Sequence, residues 1–171
     1  VESKYAHNGK KRNLNFNINN FVKFKNKIIY LVLDHEPPGI ENINDKDHID
    51  ITNGKYILNS MKRDYYQRNF IINGLKDCEN EDFILISDLD EIPNPKVINN
   101  FSHKMRYASF KQMHFYYKFN LQSKNNPFWN GTRICVKKYL KSPQWLRNLK
   151  FKKRPFWRID KFRLNNLIEN G

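Results

Sequence analysis

Ile28-Ile29-Tyr30-Leu31-Val32-Leu33 is an unbroken run of β-branched, aromatic and aliphatic side chains that ends at Asp34. A run without polar alternation predicts a strand buried on both faces, as in a parallel sheet covered by helices. Pro37-Pro38-Gly39 and the polar stretch to Asn53-Gly54 then read as loop. From about residue 57 to residue 75 the period changes. Leu58, Met61, Tyr65, Ile72 and Leu75 recur at helical steps and share one face, with Lys62, Arg63, Gln67 and Asn73 opposite. Gly74 predicts that this helix stops close by. Phe83-Ile84-Leu85-Ile86 is a second buried strand. After it, Asn94 is suited to cap a short helix with Pro95 at its first position and Ile98 and Phe101 turned inward. Residues 107–120 predict one or two aromatic-rich strands. Beyond Leu121 the pattern weakens, and Trp129, Trp145 and Trp157 lie among basic and turn residues.

Strand, helix and strand in that order predict an α/β fold. A chain of 171 residues suffices for one domain, residues 1–171, with a core of its own. Ligands of such sheets bind beyond the carboxyl ends of the strands. Asp34-His35 and Asp88-Leu89-Asp90 both lie at predicted strand ends.

Composition narrows the picture. With 39% hydrophobic and 15% aromatic residues, the chain falls outside the disordered class. Its formal charge of +14 would draw nucleic acid, anionic membranes or phosphorylated ligands. The plainer reading is a general abundance of Lys and Asn, because no basic block stands apart as a tail. Cys78 and Cys135 form no CxxC and sit at no metal-ligand spacing, which argues against zinc. No apolar run is long enough to span a bilayer.

The chemistry concentrates in Ser87-Asp88-Leu89-Asp90-Glu91. Three carboxylates within four residues repel one another unless solvent or a cation relieves them. In an extended segment Asp88 and Asp90 point to one side, while Leu89 anchors in the core on the other. Two such carboxylates suit Mn²⁺ or Mg²⁺, hard ions that complete their shells with water and substrate phosphates. The alternative is a solvated strand end. Arg63 and Arg68 are phosphate-binding candidates, with a solvated helix face as the alternative. His35 is a candidate acid, base or donor, or a local loop contact. Trp129 can stack on a sugar or base, or serve as a partly buried anchor. The Phe115-Tyr116-Tyr117 run reads as core and sheet surface. Asn100-Phe101-Ser102 and Asn130-Gly131-Thr132 match the glycosylation acceptor pattern.

Taken together, these segments resemble glycosyltransferase family 17, whose best-known member adds the bisecting N-acetylglucosamine of N-glycans. The resemblance runs through residues 27–39, Arg63-Asp64-Tyr65-Tyr66-Gln67-Arg68, Gly74-Leu75 and, above all, Ile86-Ser87-Asp88-Leu89-Asp90-Glu91-Ile92-Pro93. Val1-Glu2-Ser3, followed by His7-Asn8-Gly9-Lys10-Lys11, is similar to the family's opening segment. Roughly residues 1–131 are covered, in the family's order. The resemblance implies a GT-A-like, Rossmann-like nucleotide-sugar-binding sheet flanked by helices. It also implies inverting transfer of N-acetylglucosamine from UDP-GlcNAc to a mannose-containing glycan acceptor. Asp88 and Asp90 would hold the metal against the donor diphosphate, and Glu91 is the nearest candidate for the catalytic base. The family pattern has a further strand and helix ahead of the Glu-Ser segment and a Gly-Trp-His segment after residue 171. The chain therefore reads as a partial domain, and transfer by it alone is expected to be weak or absent.

Other classes compete. A basic nucleic-acid-binding module accounts for the charge and the aromatics but leaves the acidic cluster unexplained. A metal-dependent phosphohydrolase or nucleotidyltransferase would use the same carboxylates. An inactive transferase remnant is the third. The absence of an anchor sequence in the chain suggests the cytoplasm, or the Golgi lumen if a longer protein carries an anchor.

Overall fold

The computed structural model describes residues 1–118, 121–150, 167–169 and 171. Trp157 and Asn120 fall outside that set. The described chain is of mixed α/β content and divides into two compact units, Val1–Asp77 and Cys78–Gly171. Among the described residues no helix is long and apolar enough to cross a membrane.

In the first unit, β1 (Glu2–Ser3) and β2 (Val32–Leu33) pair in parallel, Glu2 opposite Val32 and Ser3 opposite Leu33. The strand expected over residues 28–33 is thus much shorter. Only Leu33 in it is fully buried, at 2% exposure, while Ile29 is 62% exposed. A two-stranded sheet covers little of an apolar run. Glu2 ties the preceding segment down: its Oε1 accepts from the Asn15 N–H (2.7 Å), and its Oε2 accepts from the Phe16 N–H (3.1 Å) and the Tyr30 hydroxyl (2.7 Å). Burial pushes the Glu2 carboxyl up, but these donors outweigh it and hold the group below its ordinary value.

The helix α1 spans Ile49–Asn69 and continues as a 3-10 turn, Phe70–Gly74, that ends at the predicted glycine. Its start corrects the expected loop up to Gly54. His48 caps the Asp50 N–H, and Lys55 pairs with Asp47 at 2.5 Å, so the helix begins about two turns early. Its orientation is a second correction. Leu58, Met61 and Tyr65 in α1 and Ile72 in the 3-10 turn are exposed, and of the five residues expected on a buried face only Leu75, past that turn, is half-buried. The buried side is the polar one. Asn59 exchanges two hydrogen bonds with the backbone of Glu41, Lys62 donates to Gly39 O (2.6 Å), and Arg63 forks onto Glu36. Residues 59, 62 and 63 clamp the loop that follows β2, so hydrogen bonds and ion pairs orient this helix.

The second unit holds a sheet in the order β3 (Phe83–Ile86), β5 (Phe128–Val136), β4 (Tyr107–Met113), β6 (Leu167–Ile168). β3–β5 and β5–β4 are antiparallel and β4–β6 is parallel, so this sheet is mixed where a parallel one was expected. Alternation along β3 and β5 divides two packed faces. Phe83, Leu85, Phe110, Ile134 and Val136 meet Phe101, Val97 and Ile98 from the 3-10 helix Pro95–Asn100. Asn94 caps that helix as predicted, accepting from the Lys96 N–H. Ile84, Ile86, Ser109, Arg133 and Cys135 occupy the other face, against α2 (Pro143–Asn148). Ser142 caps α2 through the Trp145 N–H. β5 is an interior strand, paired on both edges, although sequence pattern beyond Leu121 gave no strand. Asn130, Thr132 and Arg133 break its apolar run, yet Thr132 and Arg133 are buried with hydrogen-bond partners.

Both cysteines are free thiols. Burial pushes the Cys135 thiol up to about 12.

Candidate functional site

Chain leaving β3 at Ile86 meets the acidic cluster immediately, and the cluster is a turn. The Glu91 N–H donates to Asp88 O (3.0 Å), and the Asp88 N–H donates back to Glu91 Oε2 (3.1 Å). Ser87 is tied to β5 through a 2.8 Å bond between its hydroxyl and that of Thr132. This corrects the extended geometry expected for residues 88–90. Leu89 sits at the corner of the turn with its side chain fully exposed and anchors nothing.

The arginine that organises the turn comes from α2 and was missed in the sequence. Arg147 Nη2 donates to Asp88 Oδ2 (2.8 Å) and Glu91 Oε1 (2.9 Å). Its Nη1 donates to Glu91 Oε2 (2.7 Å) and Gly131 O (2.8 Å). The Arg147 and Glu91 side chains are only 10% and 9% exposed, against 41% for Asp88. Arg133 lies nearby with its guanidinium on Ser109 Oγ and the carbonyls of Asn130 and Gly131. Burial first, then the positive charge of Arg147, pull Arg133 down to about 10, while Glu91 and Asp88 act in the opposite direction. Arg147 thus pairs with buried Glu91 and half-exposed Asp88, with the Arg133 charge close by. The sequence signal was slight: an arginine in the last turn of a short capped helix, 56 residues after Glu91.

Trp129 on β5 completes the group. Its indole N–H donates to Glu91 Oε1 (3.0 Å), the residue is 52% exposed, and its ring lies 6.1 Å from the His114 ring. The turn, Trp129, Gln112, His114 and Tyr117 line one cleft of about 690 Å³, within the size range of ligand sites. Tyr116 and Tyr117 are exposed, 48% and 102%, instead of packing as core. Asp90 faces this cleft from the exposed part of the turn. Glu91, the residue nearest to a candidate base, has both oxygens occupied by four donors: the Asp88 N–H, Trp129 and both Arg147 terminal nitrogens. Its geometry is that of a residue that holds the turn.

Among the described residues no three His, Cys, Asp or Glu side chains come together as a metal site. The Asp88 carboxylate already carries the Arg147 guanidinium, so an ion there would compete with a resident charge.

His35, Arg63 and Arg68 belong to the first unit and are engaged within it. His35 lies 3.0 Å from both Asp34 Oδ1 and the Tyr66 hydroxyl. Arg63 bonds both Glu36 oxygens and His7 O, and Arg68 pairs with Asp64 at 3.2 Å. The pairing with His35 is the main cause of a lowered Asp34 carboxyl. In the second glycosylation pattern, Thr132 is buried in β5.

Comparison with protein-family models, with curated proteins and with solved structures finds no match for this chain.

Proposed function

We propose that the chain is the nucleotide-sugar-binding part of a glycosyltransferase of the family 17 kind, with a GT-A-like fold, acting on UDP-GlcNAc. One observation carries the reading. An acidic turn at the carboxyl end of β3 presents Asp90 to a cleft whose wall is the half-exposed face of Trp129. An aromatic face packs on the C–H side of a pyranose ring, and a carboxylate accepts from its hydroxyls. Arg147 and Glu91 would act indirectly, holding Asp88 and the Trp129 indole in place. The co-linear motifs ahead of the cleft support the same reading.

Titration calorimetry of the chain with UDP-GlcNAc and UDP, with and without Mn²⁺, tests it. UDP-GlcNAc is expected to bind, and Trp129→Ala to weaken it toward the affinity of UDP while leaving UDP unchanged. Loss of a base stacked on an aromatic ring costs about 1–3 kcal/mol, roughly five- to 150-fold in affinity, and a pyranose on Trp129 is expected toward the lower end. No binding of either ligand, with or without the ion, would end the proposal. Equal weakening of both ligands by Trp129→Ala would remove Trp129 from the sugar site.

A further inference from the structure

We propose that the first unit carries a second binding site, an anion cleft for a diphosphate group, at the carboxyl ends of β1 and β2. The parallel register sets Ser3 opposite Leu33, so the chain leaves the two strands side by side at Lys4 and Asp34. Open sheets receive ligands outside such ends. The segment leaving β1 then folds back on itself. Ala6 N–H donates to Lys10 O (2.9 Å), Gly9 N–H to Ala6 O (2.8 Å) and Arg12 N–H to Lys4 O (2.9 Å), with Tyr5 bridged to Lys11. Gly9 takes φ +81° at the reversal, a conformation that glycine adopts without strain. Lys4, Lys11 and Arg12 are thereby gathered around one cleft of about 600 Å³ with Tyr5, Asn13 and Asp34.

Charge selects the ligand. Three cations and one carboxylate leave the lining at +2, which matches a diphosphate diester. Without an anion the three cations repel one another; with one they gain charge-assisted hydrogen bonds. Arg12 is already aimed, since its Nε donates to Ser3 O (2.9 Å). Arg63 buttresses the hairpin from behind: its Nη1 donates to His7 O, and its guanidinium fills the space beside the Gly9 α-carbon. The arginine expected to touch phosphate therefore shapes the loop, and the loop's own cations face the cleft.

Calorimetry on the full chain without divalent ions tests the site, using inorganic pyrophosphate, UDP and uridine. Pyrophosphate and UDP are expected to bind and uridine not to. Lys4→Gln/Lys11→Gln/Arg12→Gln should weaken both by roughly tenfold or more, because each lost charge-assisted bond counts. Lys23→Gln/Lys25→Gln/Lys27→Gln removes the same charge from the exposed 3-10 helix Ile18–Lys27 and should change little. Lys11→Gln alone guards against misfolding, since its bridge to Tyr5 is made by the backbone; it should weaken pyrophosphate severalfold. Equal weakening by the two triple variants, or no pyrophosphate binding, would overturn the site. The site stands apart from the nucleotide-sugar reading: pyrophosphate binding that falls in the Lys4/Lys11/Arg12 variant and is untouched by Trp129→Ala would keep this site, while UDP-GlcNAc affinity untouched by Trp129→Ala would end the sugar reading of the other cleft.

Discussion

Replacing Arg147 with Met keeps most of the side-chain volume of α2 and removes one charge. In the wild type that guanidinium makes four hydrogen bonds, three to carboxylate oxygens and one to Gly131 O. Without it, Glu91 is left with its charge in a position 9% exposed, while Asp88, at 41%, can turn to water. Removing one partner of a buried pair costs about 3–5 kcal/mol. The Asp88 arm, being half in solvent, deserves a discount toward the surface value of about 0–1 kcal/mol. The expected loss is therefore about 3 kcal/mol, against a total stability of about 5–15 kcal/mol for a domain. Urea unfolding at neutral pH, followed by the fluorescence of the three tryptophans, measures it. Glu91→Gln should be costly too, and the double variant should cost less than the sum by about 1–3 kcal/mol, since the residues share one network. A loss below about 1 kcal/mol for Arg147→Met, with additive singles, would show that the pair behaves as a surface bridge. The turn would then hold its shape through Pro93 and its backbone bonds alone.

Three other outcomes follow from the geometry. Glu2 has its folded carboxyl held below the ordinary 4.5, so its contribution is present above that value and is lost as pH falls through the folded one. Acid unfolding of the first unit should therefore be less steep in Glu2→Gln, and identical acid profiles would remove Glu2 from the account. Gly131→Ala would put its Cβ 1.9 Å from Gln112 Oε1, the acceptor of the Thr132 N–H, and should cost about 1–3 kcal/mol or more. Gly54→Ala, within α1 and with nothing inside 4 Å, should instead stabilise by about 0.5–1 kcal/mol; thermal melts showing the opposite order would refute the packing argument. Cys135, buried on β5 with its thiol pushed up to about 12, should resist maleimide in the native state, leaving Cys78 as the one reactive thiol until urea exposes the second. Labelling of Cys135 at the same rate as Cys78 would place the strand closer to solvent.

Local signals were legible in the sequence because their causes are local. Phe83-Ile84-Leu85-Ile86 became β3 over the same residues, Asn94 and Pro95 opened the short helix they predicted, and the helical run ended at Gly74. Periodicity also placed Leu58, Met61 and Tyr65 on one face of α1. It could not show which face is buried, because that was decided by Asn59, Lys62 and Arg63 closing on backbone atoms and a carboxylate of residues 36–41. β5 was invisible for a related reason: a buried polar residue looks exposed until its partner is known, and Thr132 and Arg133 find theirs on Ser87 just past β3, on β4 and on neighbouring carbonyls. At the candidate site the residue types Asp88, Asp90, Glu91 and Trp129 could be read from the sequence, but their roles could not. Arg147 lies 56 residues beyond Glu91, and only the packing of α2 against the sheet brings its charge onto the turn. Those two long-range ion pairs, with the backbone bonds between Asp88 and Glu91, hold a turn where sequence spacing suggests an extended pair of carboxylates, and leave Asp90 at its exposed edge.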